Sequence, residues 1–558
     1  MYPKKELAQI VISACYQFNI DMVVISPGSR NAPLTVGFSN HPAMQTMSIV
    51  DERCAAFFAL GIAQQTQKPV AIVCTSGSAL LNYYPAIAEA FYSNIPLVVI
   101  SADRPKHLID IGDGQTIRQE NVFQNHILFS ANLIDVSSSA VENSKLKTQN
   151  LKLVSEALQI ANTKKGPVHI NVPFDEPLYE TVDELEEFNF PIVTSSGVEK
   201  SLDFDELSKI WNSVSKKMIL VGVHSPSEEV QNLINHFAED KSVIVLTETT
   251  SNLHHHNCIN SIDQLIFSLD ENQIKELQPE VLITFGGMIV SKKIKQILRK
   301  NQPKHHWHLD EHKAMNTFFC LTEFVQDKLE KFLSEINDKS NKIESNFQQK
   351  WLQIRNQKRE GHQKYLSKIA HSDLKVFEQV LESIPANSQL QLSNSSIVRY
   401  AQLFQLDKTL KVFCNRGTSG IDGSTSTAIG AAFAAKNQTV FITGDLSFFY
   451  DSNALWNNYI PNNFRIIIVN NAGGGIFRFI PGPKTTNALD YFETPHNLTA
   501  KQLCEMHNFE YQFAAKTSEV SSCLETFHQE GNQPKILEIF TDKNVNETVL
   551  KEYFNFLK

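Results

Sequence analysis

The sequence predicts an α/β protein of three domains, each a largely parallel sheet flanked by helices, on three observations. A β-branched and aromatic run at 439–443 and an almost wholly apolar run at 464–469 enclose a polar stretch of helix length around Ala454, Leu455 and Trp456, which reads as a βαβ unit. Near the other end, a run at 70–75, then Ser76-Gly77-Ser78, a helical 79–92 and a strand ending at Ile100 repeat that order and imply two related domains. Between them, strand-like runs at 218–223, 242–247, 281–285 and 305–309 alternate with helical stretches such as 228–237, giving a third α/β domain.

Along the chain, Met1-Tyr2-Pro3-Lys4-Lys5 leads into an amphipathic helix rather than a signal peptide. The divisions fall at 1–185, 186–345 and 346–558, the last taken with a charged helical linker at 338–372 that holds Gly361 as its only glycine. At 558 residues the chain exceeds what one core organises. A hydrophobic fraction of 42% and a mean hydropathy of -0.22 suit a globular protein with ample core. No stretch reaches the roughly 18 apolar residues of a membrane span, and a cytoplasmic location is expected. The 8 cysteines lack zinc-type spacing and read as reduced core residues.

A net charge of -9 argues against nucleic-acid or membrane partners, both of which require extended positive surface. Binding of anionic ligands then requires local cations, which singles out Arg30, Arg104, Arg118, Lys292, Arg399 and Arg416; for any one of them the ordinary alternative is a solvated surface pair.

Polar motifs stand where strands end. Ser26-Pro27-Gly28-Ser29-Arg30 follows 22–25, Asp51-Glu52-Arg53 follows 47–50, and Ala102-Asp103-Arg104-Pro105 follows 97–100. In a parallel sheet such exits share one rim, so residues distant in sequence converge there. Gly444-Asp445 and Asn470-Asn471 end the two strands of the βαβ unit, and their oxygens suit a hard cation that leaves places open for phosphate. The run Gly473, Gly474, Gly475 lets backbone approach a ligand, with one carbonyl free to complete the shell; an unremarkable pair of turns is the alternative.

These residues resemble the diphosphate motif of thiamin-diphosphate enzymes, Gly-Asp-Gly followed by Asn-Asn, with Leu446 in place of the last glycine. Gly-Asp-Leu-Ser, together with Asn415-Arg416-Gly417, Ser419-Gly420-Ile421-Asp422-Gly423 and Ser426-Thr427-Ala428, is similar to the menaquinone-pathway branch, the 2-succinyl-5-enolpyruvyl-6-hydroxy-3-cyclohexene-1-carboxylate synthases. The resemblance covers essentially the whole chain. It implies a pyrimidine-binding, a central and a diphosphate-binding domain in that order, and a homo-oligomer, dimer or tetramer, with active sites at the dimer interface.

The resemblance also implies a reaction: decarboxylation of 2-oxoglutarate on thiamin diphosphate and addition of the succinyl-semialdehyde carbanion to isochorismate. Glu52 would activate the cofactor through its pyrimidine ring, although an exposed carboxylate is the usual fate of a glutamate. Ile421 would prop the cofactor's bent shape, and Gly444, Asp445, Leu446, Ser447, Asn471, Gly473, Gly474, Ile476 and Phe477 would complete its site. Asp445, Asn471 and the Gly473 carbonyl would hold Mg2+, or Mn2+. Ser395, Arg399 and Arg416 would take the distal carboxylate of 2-oxoglutarate, for which the planar guanidinium fork is suited. Ser29, Arg30, Arg104, Gln115 and Lys292 would hold isochorismate.

Other features have plainer readings. Gly112-Asp113-Gly114 looks like the usual diphosphate motif but has no strand before it and no Asn-Asn at the right distance, so it is taken as a turn. His254-His255-His256 and His305-His306-Trp307-His308 lack ligand spacing with cysteine or carboxylate. Ser76-Gly77-Ser78 reads as a helix cap before a phosphate cradle. Competing functions are an acetolactate synthase or simple 2-oxoacid decarboxylase, against which Arg399, Arg416 and Lys292 and the absence of a Gly-x-Gly-x-x-Gly run weigh, and a silent thiamin-binding module, against which Glu52 with Asp445 and Asn471 weighs.

Overall fold

A computed structural model describes residues 1–135, 140–192, 202–480 and 482–558. The first sheet joins Met22–Ile25, Gln45–Ser48, Val70–Cys74, Leu97–Asp103, Phe129–Asn132 and Val168–Pro173, all parallel. Counted in chain order within the sheet, they lie side by side as 2-1-3-4-6-5. The last sheet, Gln389–Leu392, Lys411–Cys414, Thr439–Gly444, Phe464–Asn470, Glu510–Ala514 and Lys535–Phe540, is parallel and has the same order. Identical topology is what an internal duplication leaves behind. Between them stands a parallel sheet of Lys217–Val221, Val243–Leu246, Val281–Phe285, His305–Leu309 and Glu323–Val325 in the order 2-1-3-4-5. A short antiparallel pair, Tyr2–Pro3 with Thr181–Val182, lies apart.

Helices cover both faces of these sheets, so central strands are apolar without alternation; every residue of Val70–Cys74 and Phe464–Asn470 is buried. The first and last sheets share one core, in which Phe58, Leu60 and Ile62 meet Ile429, Phe441 and Ile466. Its axis is the contact between the helices Glu52–Thr66 and Ser424–Ala434. Gly61 lies against the Thr427 carbonyl and Gly430 against the Phe58 carbonyl, so closely that a Cβ on either would collide with backbone. This crossing fixes the two helices against each other.

The charged linker contains the helix Phe347–Leu366. Phe347 and Trp351 pack into the core of the middle sheet and Leu366 into that of the last, so this helix bridges two domains. The helix expected around Ala454-Leu455-Trp456 is placed differently. A helix begins at the strand exit, Asp445–Tyr450, with a single 3-10 turn at Ser452–Leu455 after it. The reason is polar: Asp451 turns its carboxylate to the amide and hydroxyl of Ser426, and Asn453 donates to Asp51, so neither continues a helical face. All 8 cysteines are free, with Cys320 and Cys523 half-buried and the rest buried.

Candidate active site

The rim of the last sheet gathers the proposed diphosphate residues. Gly444 precedes the helix Asp445–Tyr450, which puts the Asp445 carboxylate in the first turn, where the helix dipole favours an anion. Asp445 is buried and accepts from the amides of Leu446 (2.7 Å) and Gly473 (2.9 Å). Adjacent strands Thr439–Gly444 and Phe464–Asn470 run parallel with Gly444 opposite Val469, which brings Asn471 to the same rim. Asn471 donates from Nδ2 to Asp373 Oδ2 (3.1 Å), and its buried Oδ1 has no partner among the described residues. An unpartnered buried oxygen beside a buried carboxylate costs free energy in isolation and is satisfied by a cation. Gly473 has φ +147, which only glycine adopts readily, and its carbonyl accepts from Gly475 with a second lone pair to spare. Ser447 is buried and donates to the Ile421 carbonyl (3.2 Å), tying that residue to the same rim.

Two neighbours carry no motif in the sequence. Asp373 opens the helix Asp373–Ser383 and looks like any first-turn acid; burial, then the nearby Asp445 charge, push its carboxyl up to about 6 against the bonds from Thr541 and Asn471. His496 places Nε2 at 3.3 Å from Asp445 Oδ2 without hydrogen-bond alignment. Gly474 donates to the Glu493 carbonyl, and Phe477 packs on Phe492, ring centres 5.2 Å apart; Ile476 and Phe477 are half-buried.

Ser395 caps the helix Ser396–Ala401 with φ +69, and Arg399 is half-buried with no hydrogen bond or ion pair among the described residues. Arg416 is buried; Nη1 donates to Asn394 Oδ1 (2.6 Å) and Nε is unpartnered. Asn394, which sequence reading missed, also donates to the carbonyls of Asn415 and Gly420, locking the turn between Arg416 and Ile421. Glu89, buried on a helix of the first domain, receives the amides of Gly417 (2.7 Å) and Thr418 (2.6 Å) from the other side.

On the rim of the first sheet, Glu52 is the first residue of its helix, half-buried, with Asn82 Nδ2 at 3.2 Å from Oε2. Its neighbour Arg53 reaches the Asp422 carbonyl and lies 3.3 Å from the buried Asp451 carboxylate, so this helix start stands on the seam with the last domain. Ser29 is exposed, while Arg30 is buried and already bound to the Phe174 carbonyl (3.0 Å) and Glu176 (3.1 Å). Arg104 pairs with Asp113 (3.3 Å) and keeps Nε unpartnered, which gives the Gly112-Asp113-Gly114 turn a role as a strap over this arginine. Gln115 is exposed beside Gly77, its carbonyl accepting from Ser76 (2.9 Å). Lys292 opens the helix Lys292–Lys300 and is exposed. Among the described residues, Arg118 forms only an exposed pair with Asp110.

The reading of the histidines as lacking a carboxylate needs one correction. His255 and His256 lie in a loop, and their rings approach to 4.2 Å with Glu239 Oε1 at 3.1 Å from His255 and 3.9 Å from His256. A carboxylate distant in sequence thus joins them, which spacing alone could not show. His255 Nδ1 accepts from the Asn257 amide, leaving its proton on Nε2 facing Glu239, the geometry of a hydrogen bond rather than of a metal ligand. His306 and His308 share the buried Thr284 hydroxyl instead.

The sequence matches the family described as thiamine pyrophosphate enzyme, N-terminal TPP binding domain, over residues 5–131. It matches the middle domain of thiamine pyrophosphate enzymes over 195–392 and the C-terminal TPP binding domain over 395–539. Full-length relatives named 2-succinyl-5-enolpyruvyl-6-hydroxy-3-cyclohexene-1-carboxylate synthase are 54% identical in Flavobacterium johnsoniae and 52% identical in Christiangramia forsetii, each covering 100% of both chains. The chain belongs to this synthase family. A more distant member from Bacteroides fragilis is 37% identical, again over 100% of both chains. The three-domain α/β architecture and the thiamin-diphosphate dependence are those of the family. No helix among the described residues is long and apolar enough to cross a membrane.

Proposed function

We propose that this protein decarboxylates 2-oxoglutarate on thiamin diphosphate and adds the resulting succinyl-semialdehyde carbanion equivalent to isochorismate, giving 2-succinyl-5-enolpyruvyl-6-hydroxy-3-cyclohexene-1-carboxylate and carbon dioxide in menaquinone biosynthesis. The observation that carries the reading is the buried, unpartnered Asn471 Oδ1 on the same sheet rim as the buried Asp445 carboxylate. The residues fit the metal: Asp445, Asn471 and the Gly473 carbonyl are an all-oxygen set suited to Mg2+ or Mn2+. When bound, thiamin diphosphate supplies the electron sink for decarboxylation and carbon–carbon bond formation.

The chain's own residues bind, orient and exclude water. Gly444, Leu446, Ser447 and Gly474 line the diphosphate end, and Ile421 supports the cofactor from the turn that Asn394 locks. Glu52 would hydrogen-bond the pyrimidine ring of the cofactor and govern its protonation. Ser395, Arg399 and Arg416 bind the distal carboxylate of 2-oxoglutarate. Ser29, Arg30, Arg104, Gln115 and Lys292 bind isochorismate, which requires the exchange of Glu176 and Asp113 for substrate carboxylates at Arg30 and Arg104. Ile476 and Phe477 wall the reacting centre from water, so that carbon rather than a proton is added. The reading includes a pyrimidine domain at 1–185, a central domain at 186–345, a diphosphate domain at 346–558, active sites completed by a second copy of the chain, and a cytoplasmic location.

The test is isochorismate consumption by purified protein with thiamin diphosphate and magnesium, with or without 2-oxoglutarate, while carbon dioxide is followed. Consumption only with 2-oxoglutarate, one carbon dioxide per isochorismate, is expected. Carbon dioxide without isochorismate loss identifies a simple decarboxylase, and cofactor binding without either reaction identifies a silent module.

A further inference from the structure

The middle sheet sends one loop into the last domain, and that loop ends beside the two arginines. After Val281–Phe285 the chain runs through Met288 to Ser291, which caps the helix Lys292–Lys300. Met288 Sδ lies 3.8 Å from Arg416 Nη2 and 3.6 Å from the Ser419 hydroxyl. Val290, 1% exposed, is part of the last domain's core together with Ile397 and Val398, the residues that precede Arg399 on its helix. The loop is held from behind by Glu248, a buried carboxylate after the strand Val243–Leu246, which accepts the amides of Val290 and Ser291, both at 2.7 Å.

This docking brings in a cation that no sequence motif marks. Lys295 is half-buried, and its Nζ donates to the Ile289 carbonyl (2.9 Å), which occupies one of three donors. It interacts electrostatically with Glu248, Arg416, Arg299 and Arg399. Of its neighbours on the same helix, Lys292 is exposed and Lys293 lies over the Phe267 ring at 3.7 Å. Lys295, Arg399 and Arg416 have no ion-pair partner within reach among the described residues. The nearby carboxyls are Glu248, committed to two backbone amides, and Asp263, committed to the Ser291 hydroxyl. Burial raises the pKa of both, Glu248 to about 7, which weakens their neutralisation of the cations. Three cations without an ion pair, in a partly desolvated place whose nearby carboxyls are already hydrogen-bonded, attract a further carboxylate.

We propose that Lys295 is a further specificity-determining residue, its ammonium joining Arg399 and Arg416 on the distal carboxylate of a dicarboxylic 2-oxoacid, and that Glu248 positions it by holding the Met288–Ser291 loop against the last domain. The proposal rests on the assignment of Arg399 and Arg416 to that carboxylate.

The test is steady-state kinetics of the holoenzyme with 2-oxoglutarate, with isochorismate, and with 2-oxopentanoate, which lacks the distal carboxylate. Lys295→Met raises KM for 2-oxoglutarate about tenfold, the effect of one charge-assisted hydrogen bond, with kcat and the KM for isochorismate unchanged. The preference for 2-oxoglutarate over 2-oxopentanoate falls by the same factor, and Lys295→Arg restores most of it. Glu248→Gln, which keeps the shape but cannot accept both amides, shifts the same KM in the same direction. Arg399→Ala separates the two readings. If it raises KM for 2-oxoglutarate while Lys295→Met leaves both KM and preference unchanged, Lys295 has no part in binding; if Arg399→Ala itself changes nothing, the carboxylate site lies elsewhere. An unchanged unfolding midpoint for Lys295→Met excludes a folding cause, and a midpoint collapse with kcat and KM lost together, repeated in Lys295→Gln, overturns the proposal in favour of a structural role.

Discussion

Asn471 gives its amide to Asp373 at 3.1 Å and keeps Oδ1 buried and unpartnered, on the same sheet rim as the Asp445 carboxylate. Asp373 is itself fixed by the Thr541 hydroxyl at 2.6 Å. The order of effects follows from this chain of contacts. Asp445→Ala removes a ligand and abolishes magnesium-dependent cofactor binding. Asp373→Ala removes only the group that orients a ligand, and magnesium-dependent affinity for thiamin diphosphate falls by about 10- to 100-fold, as is usual for such outer partners. Calorimetric titration of cofactor at fixed magnesium measures both; unchanged affinity in either variant contradicts the placement of the cation.

Glu52→Gln keeps the size of the side chain and the start of its helix, whose cap is Asp51 accepting from Cys54. It is expected to bind thiamin diphosphate normally and to lose turnover by at least about 100-fold, the lower range for a positioned acid or base. Near-native turnover removes Glu52 from the chemistry.

The strand exits are legible in the sequence because parallel strands covered on both faces are continuous apolar runs, so a polar motif that interrupts one marks a rim. Asp445 and Asn471 can therefore be paired from their places in the chain alone. Asp373, His496, Asn394 and Glu248 cannot, since each is a single polar residue on an otherwise ordinary element, and only the packing of distant elements brings it to the rim. Lys292 can be singled out by its resemblance, but Lys295 cannot; only the docking of Val290 into the neighbouring core brings the Met288–Ser291 loop, whose Ile289 carbonyl Lys295 binds, to the arginines. Nor does the sequence reveal that Arg30 and Arg104 already have carboxylate partners, because Glu176 and Asp113 reach them from loops.

The crossing of Glu52–Thr66 with Ser424–Ala434 has no room for a side chain at Gly430. Gly430→Ala drives a Cβ into the Phe58 carbonyl, and because backbone rather than a flexible side chain must yield, a loss of about 1–3 kcal/mol is expected. Gly114→Ala, where the surrounding space is open, serves as the control. Denaturant unfolding that moves both midpoints equally, or neither, contradicts the importance of the crossing.

His169 lies on Val168–Pro173, one strand in from the edge of the first sheet, fully buried, with Nε2 2.7 Å from the Ser101 hydroxyl. Burial lowers its pKa to about 3, against 6.5 as the ordinary value. The unfolded chain therefore binds a proton that the folded chain refuses, so the stability that the neutral ring contributes is fully present above about pH 6.5 and is lost progressively as pH falls toward 3. His169→Gln retains a hydrogen-bonding group but has nothing to titrate. At pH 8 the variant is expected to be less stable than the parent by about 1 kcal/mol, the worth of a well-placed hydrogen bond. Between pH 6.5 and pH 5 the gap closes and then reverses, because only the parent meets the cost of keeping a histidine neutral. Unfolding midpoints of the two proteins across that interval measure the difference, and parallel curves mean that His169 titrates normally in the fold.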